Sequence, residues 1–231
     1  MARPTTAVDA VAERYLDVTA ALDPCAATES GIAGFDDQIT DYSPDGVSAR
    51  AEAARTALRE LDGAEPADDV DVVTVAAMRE RLGVLLDMHD ARLDLGELNV
   101  IASPLQTMRD VFDLMPTDTE DDWAVISRRL SQIPQRVAGY AEALRVAAAA
   151  GRAPAARQVR RGIEQSGQIQ RLFIAMVADA APGNTVLHEE LARRAEGAAN
   201  AYASLVGVLR ADIGPQARET DACGRDVYAG M

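Results

Sequence analysis

Lysine does not occur in this chain of 231 residues, and cysteine and histidine occur only twice each. Aromatic residues make up 4% of the chain, whereas hydrophobic residues make up 48%, and many of those are alanine. A composition so poor in aromatic residues and so rich in alanine disfavours a β-sheet core and favours closely packed helices. Because Cys25 and Cys223 lie near opposite ends of the sequence, we predict two reduced thiols rather than a disulfide.

Positive charge is also scarce. The chain has 23 basic and 37 acidic residues, which gives a net charge of −14. Nucleic-acid binding depends on basic side chains that neutralise phosphates, so this balance argues against nucleic acid and against anionic membranes as partners. No apolar run approaches the ~20 residues that a membrane-spanning helix needs, and the first residues lead into an amphipathic pattern rather than a signal peptide. We therefore predict a soluble, cytoplasmic protein.

Apolar residues recur at intervals of three and four along most of the chain, which is the period of an amphipathic helix. We predict an all-α fold: an antiparallel array of about eight helices in one domain over residues 1–215, followed by a loose tail at 216–231. Longer loops are expected at 31–42 and 94–102, and a turn at Pro182-Gly183. The stripe from Leu187 to Leu209 is typical of coiled-coil-like pairing with a neighbouring helix. Pro134 predicts either a kink or a break with a restart.

Residues 97–123 differ from the rest because two helix-start signals follow one another. Ser103 and Gln106 have the spacing of a capping box, with a proline at the first helical position. Thr117 and Glu120 repeat that spacing, and the acidic residues from Asp118 onward suit the first turn of a helix. The stretch is either a well-specified corner of a helical core or the polar wall of a ligand cleft. On the second interpretation, the candidate cleft-lining residues are Ser103, Gln106, Arg109, Asp110 and, from the preceding helix, His89.

The same stretch carries a family resemblance. Asn-Val-Ile-Ala-Ser-Pro-Leu-Gln at 99–106 and Arg-Asp-Val-Phe-Asp-Leu-Met-Pro at 109–116 resemble a signature of the bacterial domain-of-unknown-function 885 family. Collinear matches lie at 27–32, 41–46 and 224–228. The resemblance implies an all-helical protein similar to zinc metallopeptidases, with members about twice as long as this chain. It also implies that the zinc motif, His-Glu-x-x-His, lies in the C-terminal half of the family, and that this chain corresponds to the N-terminal half.

This chain does not contain that zinc motif. A zinc-peptidase helix needs two histidines four positions apart, so that both imidazoles reach one metal ion while the glutamate between them acts as base. Four positions after His188 the residue is Ala192, and the other histidine, His89, belongs to a different predicted helix. We therefore predict no catalytic residue, no metal ligand and no cofactor in this chain, because zinc would require the C-terminal half.

Three functional hypotheses remain open. The first is a non-catalytic helical scaffold that supplies one wall of the cleft in a metallopeptidase-like protein, with the C-terminal half of the same architecture as partner. The second is a stand-alone helical module for protein interaction or dimerisation, with a second copy as partner. The third is a small-molecule enzyme that uses Ser103, Arg109 and Asp110 of the corner helix.

Overall fold

The computed structural model describes residues 3–178, 180, 184–225 and 228. A 3-10 turn, Val111–Leu114, extends the fifth α-helix of this part, and a π-helical turn, Leu209–Ile213, extends the ninth. Within the described ranges, β-type pairing is limited to one isolated bridge between Ala155 and Arg218. The all-α prediction is therefore confirmed. The nine described α-helices are α1 (Ala7–Leu22), α2 (Pro24–Glu29), α3 (Pro44–Asp62), α4 (Asp69–Asp90), α5 (Pro104–Asp110), α6 (Glu120–Leu130), α7 (Ile133–Ala149), α8 (Ala156–Ala178) and α9 (Thr185–Val208).

Side-chain caps determine where several helices begin. The hydroxyl groups of Thr6 and Ser43 each accept a hydrogen bond from the backbone N–H three residues later, at the starts of α1 and α3. The side-chain oxygen of Asn184 accepts two such bonds at the start of α9. These caps satisfy amides that have no partner inside the helix. After α7, Gly151 has a φ of +75°, a conformation that glycine adopts at little cost at the end of a helix.

Helix α6 begins two residues later than the sequence pattern predicts. Thr119 is the N-cap, and the Asp122 carboxylate accepts from the Thr119 N–H at 2.8 Å, so the capping box is Thr119–Asp122 and not Thr117–Glu120. The Thr117 carbonyl oxygen instead accepts from the indole N–H of Trp123 at 3.1 Å. Two overlapping boxes were available in this acidic segment, and the indole contact favours the later one.

Pro134 separates two helices rather than bending one. Helix α6 ends at Leu130, and α7 begins at Ile133 with the proline in its first turn. A proline is tolerated there because the first-turn amides have no intrahelical acceptor. The break with a restart is therefore the correct alternative. The turn predicted at Pro182-Gly183 lies outside the described residues.

Helices α1, α3 and α4 pack against one another, and we call them the N-terminal bundle. The bundle also contains a polar tie, in which the buried carboxylate of Asp71 accepts from Arg3, from the Thr6 hydroxyl and from the Ala67 amide. Along the outer face of the first turns of α4, valine side chains are exposed. The apolar clusters of the bundle are small. Their buried members are Val8, Val11, Leu61 and Val75 in one and Ala54, Ala57 and Leu82 in the other.

Helices α5–α9 form a second unit, the C-terminal group, around one large apolar core. Helix α9 is central and packs on α6, α7 and α8. The ring of Phe173 makes an edge-to-face contact with Phe112 at 5.6 Å between centroids, and it lies 5.8 Å from Tyr202. Residues of the predicted α9 stripe, including Leu191 and Leu205, are buried in this core. The stripe therefore faces neighbouring helices of the same chain.

A buried cation connects loop 31–42 to the C-terminal group. Arg129 on α6 is fully buried, and its Nε donates to the carbonyl oxygen of Gln38 at 2.8 Å. Its Nη2 donates to the Thr28 hydroxyl at 2.7 Å and to the Phe35 carbonyl oxygen at 3.3 Å. Burial lowers the pKa of the guanidinium, yet the surrounding oxygens satisfy most of its donors. Arg129 thereby fixes α2 and the loop on α6.

Main-chain contacts at the start of α8 hold the beginning of the predicted tail. The Arg218 N–H donates to the Pro154 carbonyl oxygen at 3.2 Å, and the Ala156 N–H donates to the Arg218 carbonyl oxygen at 2.8 Å. The single domain over 1–215 and the loose tail stay predictions. No helix in the ranges that the structure describes has the length and apolar character needed to cross a bilayer.

Candidate functional site

A cavity of about 680 Å³ opens between the N-terminal bundle and the C-terminal group. Its walls come from α1, α2, α3 and α4, from the loop before α5, and from α7. The volume lies within the range of roughly 300–1,000 Å³ that is typical of small-molecule sites. Aliphatic side chains such as Leu22, Val47, Leu85 and Met88 form much of the surface. The charged and phenolic residues of the wall are Asp23, Glu29, Glu80, Asp94, Glu97, Arg50, Arg81, Tyr15, Tyr42 and Tyr140.

Side-chain amides hold the loop at 94–102 in place, although it has no regular secondary structure. The Asn99 side-chain oxygen accepts from two backbone amides of the same loop. The Gln106 Nε2 donates to the Asn99 carbonyl oxygen at 2.8 Å and to Gln165 Oε1 at 2.8 Å. In turn, Gln165 Nε2 on α8 donates to the carbonyl oxygen of Val100 at 3.0 Å. Three amide side chains thus tie this wall of the cavity to α5 and α8.

The same loop is also fastened to α7. The buried Tyr140 hydroxyl donates to the carbonyl oxygen of Glu97 at 2.7 Å, and burial raises the pKa of this phenol, which therefore stays a donor. At Gly96 a Cβ atom would lie 2.9 Å from the carbonyl oxygen of Arg152, so the close approach of the two backbones requires glycine. The loop is therefore a fitted part of the cavity wall.

The opposite wall carries a stacked arginine and a hydrogen-bonded carboxylate. The Arg50 guanidinium lies 5.7 Å from the centre of the Tyr42 ring and donates to the Asp41 carbonyl oxygen at 2.7 Å. The Asp23 carboxylate accepts from the Thr40 hydroxyl at 2.5 Å. Burial raises the pKa of Tyr42 because it disfavours the phenolate. This wall therefore presents a neutral phenol beside one fixed cation and one fixed anion.

Carboxylates dominate the wall next to the end of α4. Asp94 Oδ2 lies 2.7 Å from Nδ1 of His89, while Asp94 Oδ1 is buried and has no hydrogen-bond partner among the described residues. The pKa of Glu97 lies above its ordinary value, first because the surrounding protein desolvates the carboxyl and second because the Asp94 charge is near. The charge of Asp94 thus opposes ionisation of Glu97.

Ser103 lies in the cavity wall, and Gln106 lies directly behind it. Gln106 Oε1 accepts from the Ser103 N–H at 3.0 Å, as the predicted capping box requires, and it also accepts from the Ser103 hydroxyl at 2.6 Å. Both side chains are buried. Their polar atoms are used by the loop and the helix start, which gives them a role in shaping the cavity wall.

The structure does not bring the other predicted cleft-lining residues to the cavity. Arg109 pairs with the carboxylates of Asp110 and Asp113, and these side chains do not line the described cavity. His89 reaches the cavity through Asp94 and does not line it directly. The candidate site therefore consists largely of residues that the sequence pattern did not single out, with Tyr42, Arg50, Asp94 and Glu97 the most chemically distinctive.

The described residues do not suit a zinc ion. They contain no group of three histidine, cysteine, aspartate or glutamate side chains placed to hold a metal. His188 lies in the first turn of α9 and has Ala192 four positions later, while His89, on α4, is hydrogen-bonded to Asp94 of the following loop. Zinc sites in proteins use three or four such ligands around one centre. No step of chemistry through zinc can be assigned to these side chains.

Comparison with known proteins yields a family and a fold. A family model described as "Bacterial protein of unknown function (DUF885)" matches residues 24–231. The chain is also similar to the crystal structure of a protein from Colwellia psychrerythraea, provisionally described as a lipoprotein, with a TM-score of 0.70 and 16% sequence identity. That match covers 92% of this chain but 42% of the other, so this chain spans less than half of its length. At such low identity the likeness shows the fold alone. No curated protein matches the sequence.

Proposed function

The chain belongs to the bacterial family of unknown function DUF885, and we propose that it forms the N-terminal, helical part of a longer, metallopeptidase-like architecture. In that architecture it acts as a scaffold and supplies one wall of a cleft. Catalytic and metal-binding residues would come from the C-terminal part. On this proposal, the described cavity is the portion of the cleft that this chain contributes.

The coverage of the structural match is the observation that carries the proposal. Nearly the whole chain fits within less than half of the Colwellia psychrerythraea protein, so the shared fold occurs within a longer chain. The open cavity supports the same proposal, because its wall is fixed by Asn99, Gln106 and Tyr140. Binding sites generally need walls that supporting contacts hold rigid.

A second candidate function, the stand-alone interaction module, is supported by a different surface of the chain. The predicted α9 stripe is buried inside the chain and is not available to a partner. The outer face of α4 is available, since Val70, Val72 and Val73 are each more than half exposed. Contiguous exposed apolar side chains often mark contact sites between proteins. On this alternative, α4 would pair with a second copy of the chain.

Light scattering coupled to size-exclusion chromatography, together with binding of a hydrophobic dye, separates the two candidates. The cleft-wall proposal predicts a monomer that binds the dye and associates with a separately produced C-terminal part of the same family architecture. A monodisperse dimer that binds no dye, and that a Val73→Asp substitution converts to monomers, would support the module instead. The exposed Ala203→Asp variant on α9 is a matched control and should leave either state unchanged.

Sequencing of the gene beyond the codon of Met231 gives an independent test. The cleft-wall proposal predicts a continuing or adjacent reading frame that encodes His-Glu-x-x-His. The motif supplies two metal ligands and a base on one helical face, which are the groups that this chain lacks. An unrelated neighbouring gene would count against the proposal and favour the module.

A further inference from the structure

The N-terminal bundle is joined to the rest of the chain at one end of its helices. Arg79 of α4 pairs with Asp62, the last residue of α3. Arg55, earlier in α3, pairs with Asp90, the last residue of α4, so these two helices are antiparallel. Helix α3 also runs antiparallel to α1, whose start packs near the end of α3. The connections to α2, to the loop before α3 and to the loop before α5 therefore all leave from the same end of the bundle.

Each of these connecting segments is fastened to the C-terminal group. Arg129 of α6 donates hydrogen bonds to α2 and to the loop that follows it. Asp41, at the end of that loop, pairs with Arg136 of α7 at 3.0 Å. Tyr140 of α7 holds the loop at 94–102 through its hydroxyl group. These contacts fix the attached end of the bundle on the C-terminal group.

Beyond the attached end, the bundle and the C-terminal group are held together weakly. Among the residues that the structure describes, no hydrogen bond or ion pair joins α1, α3 or α4 to helices α5–α9. Within the same ranges, the large core has no buried member from α1, α3 or α4, and the two bundle clusters have none from α5–α9. The principal helix contact between the two parts is that of α3 with α7, and the cavity lies between them. Parts of a chain that share no large apolar interface commonly move relative to each other.

Two of the connecting segments contain residues with uncommon backbone conformations. Arg92, two residues after the end of α4, has a φ of +55°, and it is the one non-glycine residue with a positive φ in the described part of the chain. Asp23, between α1 and α2, has a φ of −132° and a ψ of +71°, which lies outside the helical and extended regions. Hinges commonly consist of a few residues at the ends of helices that absorb changes in φ and ψ. Both residues lie where a hinge of the bundle would have to be.

From this arrangement we infer that the N-terminal bundle is a lid, which rotates as one body about residues 22–24, 41–43 and 91–94 and narrows the cavity. Closure moves the α4 side of the cavity, which includes Met88, toward Thr107 of α5 on the opposite side. The inference goes beyond the cleft-wall proposal and requires only residues of this chain. A bundle that does not move would leave the association and gene tests of the cleft-wall proposal untouched.

Distances between two spin labels, measured by double electron–electron resonance on the full chain, test the inference. All variants carry Cys223→Ser, which removes the exposed thiol, while the other cysteine is buried. Ala77 of α4 and Asp110 of α5 are exposed and lie within one turn of residues that line the cavity. Ala77→Cys with Asp110→Cys, the cross-cavity pair, therefore reports the width of the opening. Glu13→Cys with Ala77→Cys reports the bundle alone, and Asp110→Cys with Ala203→Cys reports the C-terminal group alone.

A hinged lid predicts a distance distribution for the cross-cavity pair that is at least about twice as wide as that of either control pair. Part of this distribution should lie at distances shorter than the one in the structure. Equal widths in all three pairs would overturn the inference. So would equal broadening of the pair within the bundle, since it would mean that the bundle loosens instead of rotating as one body.

A glycine substitution tests the pivot at the end of α4 without a label near it. Glycine adopts a wider range of φ and ψ than other residues, so Arg92→Gly should widen the distribution of the cross-cavity pair about 1.5-fold. Ala150→Gly, at the end of α7, adds the same freedom within the C-terminal group and should leave this distribution unchanged. No widening in the Arg92 variant, or equal widening in the Ala150 variant, would contradict rotation about this segment.

Discussion

The N-terminal bundle and the C-terminal group are both helical, but different interactions hold them together. The C-terminal group buries a continuous core that includes the contacting rings of Phe112, Phe173 and Tyr202. The N-terminal bundle has two small clusters, of four and three buried residues, and relies in addition on a polar tie around Asp71. Because stability scales with apolar area removed from water, the N-terminal bundle should open at a lower free energy than the C-terminal group.

The difference in packing between the two parts bears on function because the cavity lies between them. The cavity lies where the less strongly packed bundle meets the more strongly packed group. Its wall on the α4 side could adjust to a ligand or a partner, while the loop at 94–102 stays attached to α5, α7 and α8 through Gln106, Gln165 and Tyr140. Binding regions are commonly drawn from the less stable part of a fold.

The largest effect is expected in the core of the C-terminal group. Phe173→Ala should lower the free energy of unfolding by about 3–5 kcal/mol, because it removes a fully buried ring and leaves a cavity. Urea denaturation followed by circular dichroism measures the change. The neighbouring Leu172→Ala, at a side chain that is 43% exposed, is the control and should cost less than about 1 kcal/mol. Equal losses in the two variants would refute the assigned core.

In the N-terminal bundle, Leu61→Ala should cost about 2–3 kcal/mol, since the small cluster around it can relax partly into the space left. The loss should be local. Hydrogen exchange should therefore accelerate in α1, α3 and α4 and stay nearly unchanged in α7–α9. Uniform acceleration across the whole chain would show that the two parts unfold as one unit. It would contradict the claim that the N-terminal bundle opens at a lower free energy.

The tie between loop 31–42 and α6 gives an intermediate effect. Arg129→Met keeps most of the buried volume but leaves the carbonyl oxygens of Gln38 and Phe35 without their donor, so the cost should be about 2 kcal/mol. Limited proteolysis should then cleave within the loop. Arg128→Met, at the exposed neighbour that pairs with Asp37, should leave both stability and cleavage unchanged. A loop that resists protease in the Arg129 variant would contradict the proposed attachment.

The smallest effect concerns acid sensitivity of the N-terminal bundle. The pKa of Asp71 lies below its ordinary value, first because the Ala67 amide donates to the carboxylate and also because Thr6 and Arg3 do. A depressed pKa contributes stability above the unfolded-state value near 3.9 and loses it as pH falls through the folded-state value. In the Asp71→Asn variant, far-UV circular dichroism should therefore show less acid-induced loss of helix. Fluorescence of the single tryptophan, Trp123, in the C-terminal group should respond equally in both proteins.

Local rules predicted most of the fold. Helical periodicity and the interruption at Pro134 depend on residues close in sequence, and such signals are legible there, although a kink and a restart at Pro134 could not be distinguished. The start of α6 was placed wrongly because two threonines offered the same chemistry, and an indole contact decided between them. Periodicity also predicted the α9 stripe, although it could not say that the partner helices belong to the same chain.

The candidate site was much less predictable. Ser103 was found because its capping spacing is a local pattern. Asp94 and Glu97 belong to no local pattern, and they are site residues only because α1 and α3 line the same cavity. The sequence analysis named His89 but not its partner, and the contact of His89 with Asp94 is visible only in the structure. Sites assembled from distant elements are not encoded in any one stretch.

The zinc content of the purified chain, measured by elemental analysis after dialysis against zinc-containing and then zinc-free buffer, tests the cleft-wall account most directly. The account predicts that no zinc remains bound and that the chain alone cleaves no peptide, because its two histidines lie on separate helices and the described residues contain no group of three side chains placed to hold a metal. One equivalent of zinc retained per chain, and lost when His188 or His89 is replaced by alanine, would contradict it.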